Sequence, residues 1–462
     1  SDNRLLPRAF TGTLDGVLGG GTPASASVTT LTVNGDITTT TSGTSNFVAG
    51  VNAGNSIASG GNYNVAVGDE AGTAITTGDN NTLIGYGAGK TYAAQTNNTI
   101  VGKDAGSLDT GANNTVMGYQ ALYTAGVGSN NVAMGVFSLY YNTSGDDNTA
   151  IGYETLKDNT TGGQNVALGR RALQNNTTAS FNTALGYQSL DANTVGHSNV
   201  AVGTNALVSN TEGLYNIAVG RDSLDANTDG DYNTAVGYSS LSANTVGHSN
   251  VAVGSSALLS NTEGLYNVAV GPNSLDANTE GNSNVGIGYA ALGANTEGNQ
   301  NVAVGPSAMI ANISGDYNVA VGALSLDANT TASYNTAVGY GTLTTNTTGI
   351  SNVAVGRNSL LLNTVGYSNV AVGVSSLGAN VGGIKNTALG ASALLLNTSG
   401  NTNVAVGYDV LKANTEGTNN VAMGYNSLAV NTTGDSNVAI GALALDANTT
   451  ASNNTAVGYT AL

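Results

Sequence analysis

The sequence has no cysteine and no tryptophan, four prolines and two histidines among 462 residues, and only 8% of it is charged. Without cysteine there is no disulfide framework and no thiol chemistry, and the redox compartment stays unassigned. No run of about 18 apolar residues exists, so nothing reads as a membrane-spanning helix. Cations are few: the formal charge is −17, which argues against nucleic acid, because phosphate binding needs clustered Lys and Arg. The start, SDNRLLPRAF, carries no apolar signal segment. At this length an ordinary chain would be about three domains, yet large side chains are too scarce for conventional cores. The chain is not of disordered composition either, since 40% of it is apolar.

What is abundant is Gly, Asn, Thr, Val, Ala and Leu, and they recur in order. The string N-[VTI]-x-x-G starts at Asn114 and returns every 17 residues to Asn454, with earlier copies at Asn64, Asn81 and Asn98. One step, from Asn98 to Asn114, is 16 residues, and a degenerate copy, NFVAG, begins at Asn46. The consensus is N-V-A-V-G-x-x-S-L-x-x-N-T-x-G-x-x, numbered here as positions 1 to 17. A period held this strictly means a fixed physical pitch per repeat. Two glycines per unit would break a short helix, whereas one turn of a β-solenoid suits them. Positions 1 to 4 read as a short β-branched strand and Gly at position 5 as its corner. Positions 8 and 9 open a second apolar stretch, and N-T-x-G closes the circuit with turn residues.

The deviations fix the register. Pro272 and Pro306 both fall at position 6, so that position lies off the ladder, since proline has no N–H to give. The same position takes Arg170, Arg221, Arg357 and ten tyrosines from Tyr86 to Tyr459, which marks an outward corner. Position 9 is Leu in every coil from Leu122 to Leu462 except Met309, the pattern of a buried file. The second Asn, as in Asn193, Asn210 and Asn227, is placed to stack as an Asn ladder. Val and Ala alternate within the strand and so point to opposite faces. Either face could line the interior, and either choice leaves a flat or apolar surface that another chain could cover. Strand geometry therefore predicts a symmetric oligomer.

The chain divides into residues 1–45, which lack the repeat, residues 46–113, in which position 9 is Gly (Gly72, Gly89, Gly106), and the regular array 114–462. Within the first, VTTLTVNGDITTT reads as strand, Asn-Gly turn, strand. NTVGHSNVAVG recurs after 51 residues, a three-coil duplication that carries both histidines. The array stops part-way through a coil at Leu462, and solenoids generally need caps, so a continuing polypeptide or a covering partner is expected there.

Candidate chemistry is sparse. GYGAGKT, Gly85–Thr91, departs from a phosphate loop: Gly85 and Gly89 are one residue too close and Ile84 stands at the required Gly. His197 and His248 are three coils apart, about 14 Å, too far to share a metal, and read as exposed turn residues. Asp191, Asp225, Asp276 and Asp327 could face Ca²⁺ between coils but lack the calcium-binding nonapeptide pattern, and read as surface charge. No catalytic, cofactor or metal residues are assigned, and an enzyme is not expected. N-x-T strings such as Asn142-Thr143-Ser144 follow from the repeat itself. The corner tyrosines Tyr187, Tyr238, Tyr289, Tyr340, Tyr408 and Tyr425 are the candidate receptor contacts, because exposed aromatics can stack on sugars.

N-V-A-V-G and N-T-A-V-G followed by S/A-L resemble the repeats of YadA-like heads in trimeric autotransporter adhesins and those of tailed-phage fibres, over residues 64–462. The resemblance implies a left-handed parallel β-roll, three chains around one axis, in an elongated surface projection. Adhesin-head repeats are usually shorter than 17, so corners or cross-section should differ. Neither a heptad stalk nor membrane-anchor strands are seen in these residues, and TLTVNGDI, Thr30–Ile37, resembles stretches ahead of phage-fibre repeats. The expectation is therefore an all-β homotrimeric virion fibre, attached to other virion proteins through residues 1–45 and reaching towards a host receptor or glycan. A bacterial adhesin head at the cell surface is the alternative. An ice- or crystal-binding solenoid is disfavoured because only one regular Thr file, next to Asn, is evident.

Overall fold

The computed structural model describes residues 41–462. The strand–turn–strand expected within VTTLTVNGDITTT lies outside them. The described residues contain 25 strands of three residues each, from β1 (Phe47–Ala49) to β25 (Thr455–Val457), and no helix. Each strand pairs in parallel with the next, in register: Val200 faces Ile217, Ala201 faces Ala218 and Val202 faces Val219. The step of 18 at Phe47↔Val65 and of 16 at Thr99↔Thr115 is absorbed without breaking the sheet. The molecule is thus a parallel β-solenoid of 17-residue coils.

Only positions 2 to 4 are strand; the apolar stretch at positions 8 and 9 is a turn. The cause is backbone handedness. Positions 7, 9 and 17 sit in the left-handed region, with φ of 57° at Asn205, 52° at Leu207 and 56° at Tyr215, and Gly203 at position 5 has φ 137°. The last value is open essentially to glycine alone. A Cβ on Gly203 would also meet the Gly220 carbonyl oxygen of the next coil at 2.5 Å. The corner is therefore glycine for two independent reasons.

Outside the strand, the backbone still bonds from coil to coil. Asn205 N donates to Tyr187 O at 3.0 Å, Leu207 N to Ser223 O at 3.0 Å, and Tyr215 N to His197 O at 3.2 Å. Turns can thus be stacked as strictly as strands, because every coil offers the same backbone shape to its neighbours. Position 6 contributes its carbonyl to this ladder rather than its amide, which is why Pro272 and Pro306 fit: Ala290 N donates to Pro272 O at 3.0 Å.

The strand faces resolve clearly. Ala at position 3 is fully buried, as at Ala201, Ala218 and Ala235, and position 9 is buried beside it from Leu122 to Leu445, Met309 included, while Leu462 in the last coil is exposed. The Val residues at positions 2 and 4 point out. Two Asn files complete the interior. At position 12, Asn210 Nδ2 donates to Asn193 Oδ1 at 2.9 Å, and the ladder runs unbroken from Asn142 to Asn448. The sequence did not single out position 1, yet it forms a second ladder: Asn199 N donates to Asn182 Oδ1 at 2.9 Å, from Asn64 to Asn454. Asn199 Nδ2 and Asn210 Nδ2 both reach Gly213 O, at 2.8 and 3.1 Å. The two ladders are joined there, so the buried amides are satisfied in both directions.

Candidate functional site

With the interior closed by Ala, Leu and Asn, recognition falls to three outward tracks: the sheet face at positions 2 and 4, the corner at position 6, and the corner around position 17. The sheet face is apolar at position 4 throughout the array, while position 2 mixes Val and Ile with Thr, as at Thr149, Thr183 and Thr234. Leu168 is 45% and Met423 41% exposed, and Val253, Val270, Ile287, Val321, Val372, Leu389 and Ile440 are exposed to a similar degree. Scattered exposed apolar residues are ordinary, but a contiguous stripe of this length marks an interaction surface.

Position 6 is exposed as the prolines indicated, but its tyrosines differ from one another. Tyr187 has the Arg170 guanidinium 5.9 Å from its ring centroid and Tyr238 has Arg221 at 5.7 Å. Lys103 lies between Tyr86 and Tyr119, 5.8 and 5.7 Å from their rings. Tyr408 and Tyr425 stack on each other at 5.9 Å. Tyr289 and Tyr340, each 57% exposed, have neither a cation nor a ring against them among the described residues. Four of the six candidate contacts thus spend a ring face within the stack.

In the corner around position 17 the sequence marks Glu212 to Tyr215 as free to vary and open to recognition, without picking out its aromatics. Position 17 carries Phe181, Tyr215, Tyr232, Tyr266, Tyr317 and Tyr334, all exposed. Tyr215 stacks on Tyr232 at 5.0 Å and Tyr317 on Tyr334 at 5.2 Å. The histidines at position 16 are half-buried rather than fully exposed, and each packs edge-on against the next coil's tyrosine. His197 meets Tyr215 at 5.2 Å and His248 meets Tyr266 at 5.3 Å. The signal was available in the sequence, since the aromatics keep one repeat position, but serine shares that position and diluted it.

The remaining candidates are placed as follows. Within GYGAGKT, Ala88 and Gly89 are interior and Lys90 pairs with Glu70 at 2.6 Å. Asp191, Asp225, Asp276 and Asp327 lie at position 10 and are two or three coils apart, so adjacent coils do not bring their carboxylates together. Burial raises the carboxyl of each above its ordinary range. Asp225 accepts instead from Ser242 Oγ, and Asp191 lies beside Arg171 at 3.5 Å. The Thr file at position 13 turns its hydroxyls into the stack: Thr194 Oγ1 donates to Thr211 O at 3.2 Å and Thr211 Oγ1 to Thr228 O at 3.2 Å.

One interior site is polar in a different way. Asp109 occupies position 12 of the 16-residue coil, accepting from Tyr92 Oη at 2.9 Å and from Asn114 Nδ2 at 3.1 Å on one oxygen. Its Oδ1 has no partner. Burial, only partly offset by these bonds, raises its pKa to about 7.

No protein family matches the chain, and no curated protein or solved structure does either.

Proposed function

We propose that this chain is a structural fibre of a tailed-phage particle, built as a homotrimer of left-handed rolls whose apolar sheet faces turn towards a common axis. The observation that supports this most is the apolar stripe at position 4, unbroken from Met117 to Val457 and flanked at position 2 by Val, Ile or Thr. Stacked coils about 4.8 Å apart give a rod of roughly 115 Å, and a three-residue strand adds about 10 Å of width. Each chain would then cover about 1,100 Å², above the roughly 800 Å² per partner of stable interfaces. Interior-facing Ala and outward Val make sense together in this arrangement, since the coil core is too thin to use the larger side chain. The function is passive: reach and stiffness from stacked coils, contact with a host surface through the two aromatic corners, and attachment to other virion proteins through residues 1–45. An ice-binding role is further weakened because the Thr hydroxyls already donate within the stack.

Sedimentation equilibrium tests the assembly, with a mass three times 45.6 kDa expected. A monomer overturns the shared face. Val253→Asp combined with Val270→Asp should dissociate the trimer while leaving the repeat intact. Antibodies to the array should decorate the tails of intact phage particles in negative-stain images. Labelling of bacterial surfaces in the absence of phage would instead favour the adhesin-head reading.

A further inference from the structure

The position-17 corner holds an open cleft of about 290 Å³ where three successive coils meet. Its walls include Thr178, Ser180, Phe181, His197, Ser198 and Tyr215. Phe181 is 61% exposed and has no ring or cation against it among the described residues, so a flat apolar platform is free. Tyr215 is held between Tyr232 and the edge of His197, and that contact orients the imidazole. The His197 Nδ1 pairs with Ser198 Oγ at 3.2 Å, and its Nε2 has no partner among the described residues. Ser180 Oγ accepts from Gly163 N at 3.0 Å, which leaves its own proton to donate, and the Thr178 hydroxyl makes no bond among the described residues. The cleft therefore combines an open aromatic face with several unspent hydrogen-bonding groups.

No carboxylate or ammonium lines it. Other corners carry charge, as at Glu212, Asp229, Asp231, Glu263, Glu280 and Asp316. An apolar face beside convergent uncharged donors and acceptors is the arrangement that orients a small polar ligand. A pyranose matches it: its C–H face lies flat on an aromatic ring while its hydroxyls reach polar groups at the rim. We infer that this corner is a binding site for an uncharged sugar residue of a surface glycan.

The three-coil duplication supplies an internal control. At its second copy, His248 meets Tyr266 as His197 meets Tyr215, but Asp229, Asp231 and Tyr232 replace Thr178, Ser180 and Phe181. The second corner keeps the ring pair and loses the neutral rim, so it should not take the same ligand.

The inference leans on the fibre reading only for where a glycan would be met. Sugar binding is measured on the full chain in its own assembly state, so it can fail or succeed independently of particle labelling. The test is saturation-transfer NMR and titration calorimetry with maltotriose, cellotriose, mannotriose and triacetylchitotriose, with sialyllactose as the charged comparison. At least one neutral trisaccharide should bind at millimolar strength or tighter. Phe181→Ser should weaken it about tenfold or more, and His197→Asn severalfold. Serine and asparagine already occupy those repeat positions at Ser249 and Asn282, so both variants are expected to fold, as circular dichroism would verify. Tyr266→Ser, in the second corner, should leave binding unchanged. Binding of sialyllactose alone, binding of none of the sugars, or a Phe181→Ser chain that binds as well as the parent would each overturn the site.

Discussion

The coils of residues 46–113 and those of 114–462 solve one packing problem with opposite choices. In the regular array, position 3 is Ala except at Val116 and Gly286, position 9 is Leu except at Met309, and position 12 is Asn except at Ala125. In the early coils the large groups sit elsewhere: Leu83 and Ile100 at position 3 and Ile75 and Tyr92 at position 12, all fully buried, with Gly72, Gly89 and Gly106 at position 9. A Cβ on Gly89 would meet Leu83 Cδ2 at 2.8 Å, and one on Gly72 would meet Ile75 Cδ1 at 2.6 Å. Volume is conserved while its source moves across the coil. Position 9 also keeps its left-handed backbone in both regions, with φ of 55° at Gly89 and 52° at Leu207. The early coils relieve that strain with glycine; the regular coils tolerate it because Leu fills the centre.

The position-1 Asn ladder crosses both regions, but the position-12 ladder starts only at Asn142. Asp109 sits between, where an Asn would stand in the regular array. The divide falls on the 16-residue coil, so the change of core and the change of length coincide.

Breaking the regular core should have the largest effect. Leu241→Ala empties the centre of a coil that has no other large side chain, and is expected to cost about 3–5 kcal/mol. Hydrogen exchange should show protection lost first around that coil. The next effect depends on pH. Asp109 has a pKa of about 7 in the fold against an ordinary carboxyl value of 3.8, so the folded chain holds a proton that the unfolded chain releases between those values. Stability from this group is complete below about pH 4 and is lost as the pH rises through about 7, by about 4 kcal/mol at most. Asp109→Asn should flatten the profile over that window, as urea titrations at pH 4 and 8 would show. Gly89→Leu installs the regular residue in an early coil and should destabilise it by about 1–3 kcal/mol through overpacking, read as a lower melting temperature. The smallest effect should be equal in the two regions. Thr76→Val and Thr211→Val each remove one hydroxyl bond to the next coil, to Ala93 O and Thr228 O, at about 0.5–1.5 kcal/mol. A marked difference between them would mean the turn stacks differently on either side of Asp109.

Much of this was legible in the repeat. Its period, the outward corner at position 6, the buried file at position 9 and the ladder at position 12 follow from which positions vary and which do not. Which strand face turns inward did not follow, because Val and Ala are both apolar and the choice depends on how little room a 17-residue coil encloses. The left-handed φ of Leu at position 9 was hidden too, since Leu gives no local sign of a conformation that only the finished core enforces. For the same reason nothing in the second apolar stretch marks it as a turn. Of the outward tracks, the position-6 tyrosines were found, but not that Arg170, Arg221 and neighbouring rings already occupy several of them.

The register of the sheet has a mechanical consequence. Bonds between coils run along the rod, so a pull on its two ends loads all bonds of one junction together and the junctions in series. The weakest junction opens first, and each released coil adds about 55 Å of slack at roughly 3.4 Å per residue. A single chain stretched by its ends should therefore yield in equal steps, one coil at a time, with the 16-residue coil giving a slightly shorter one.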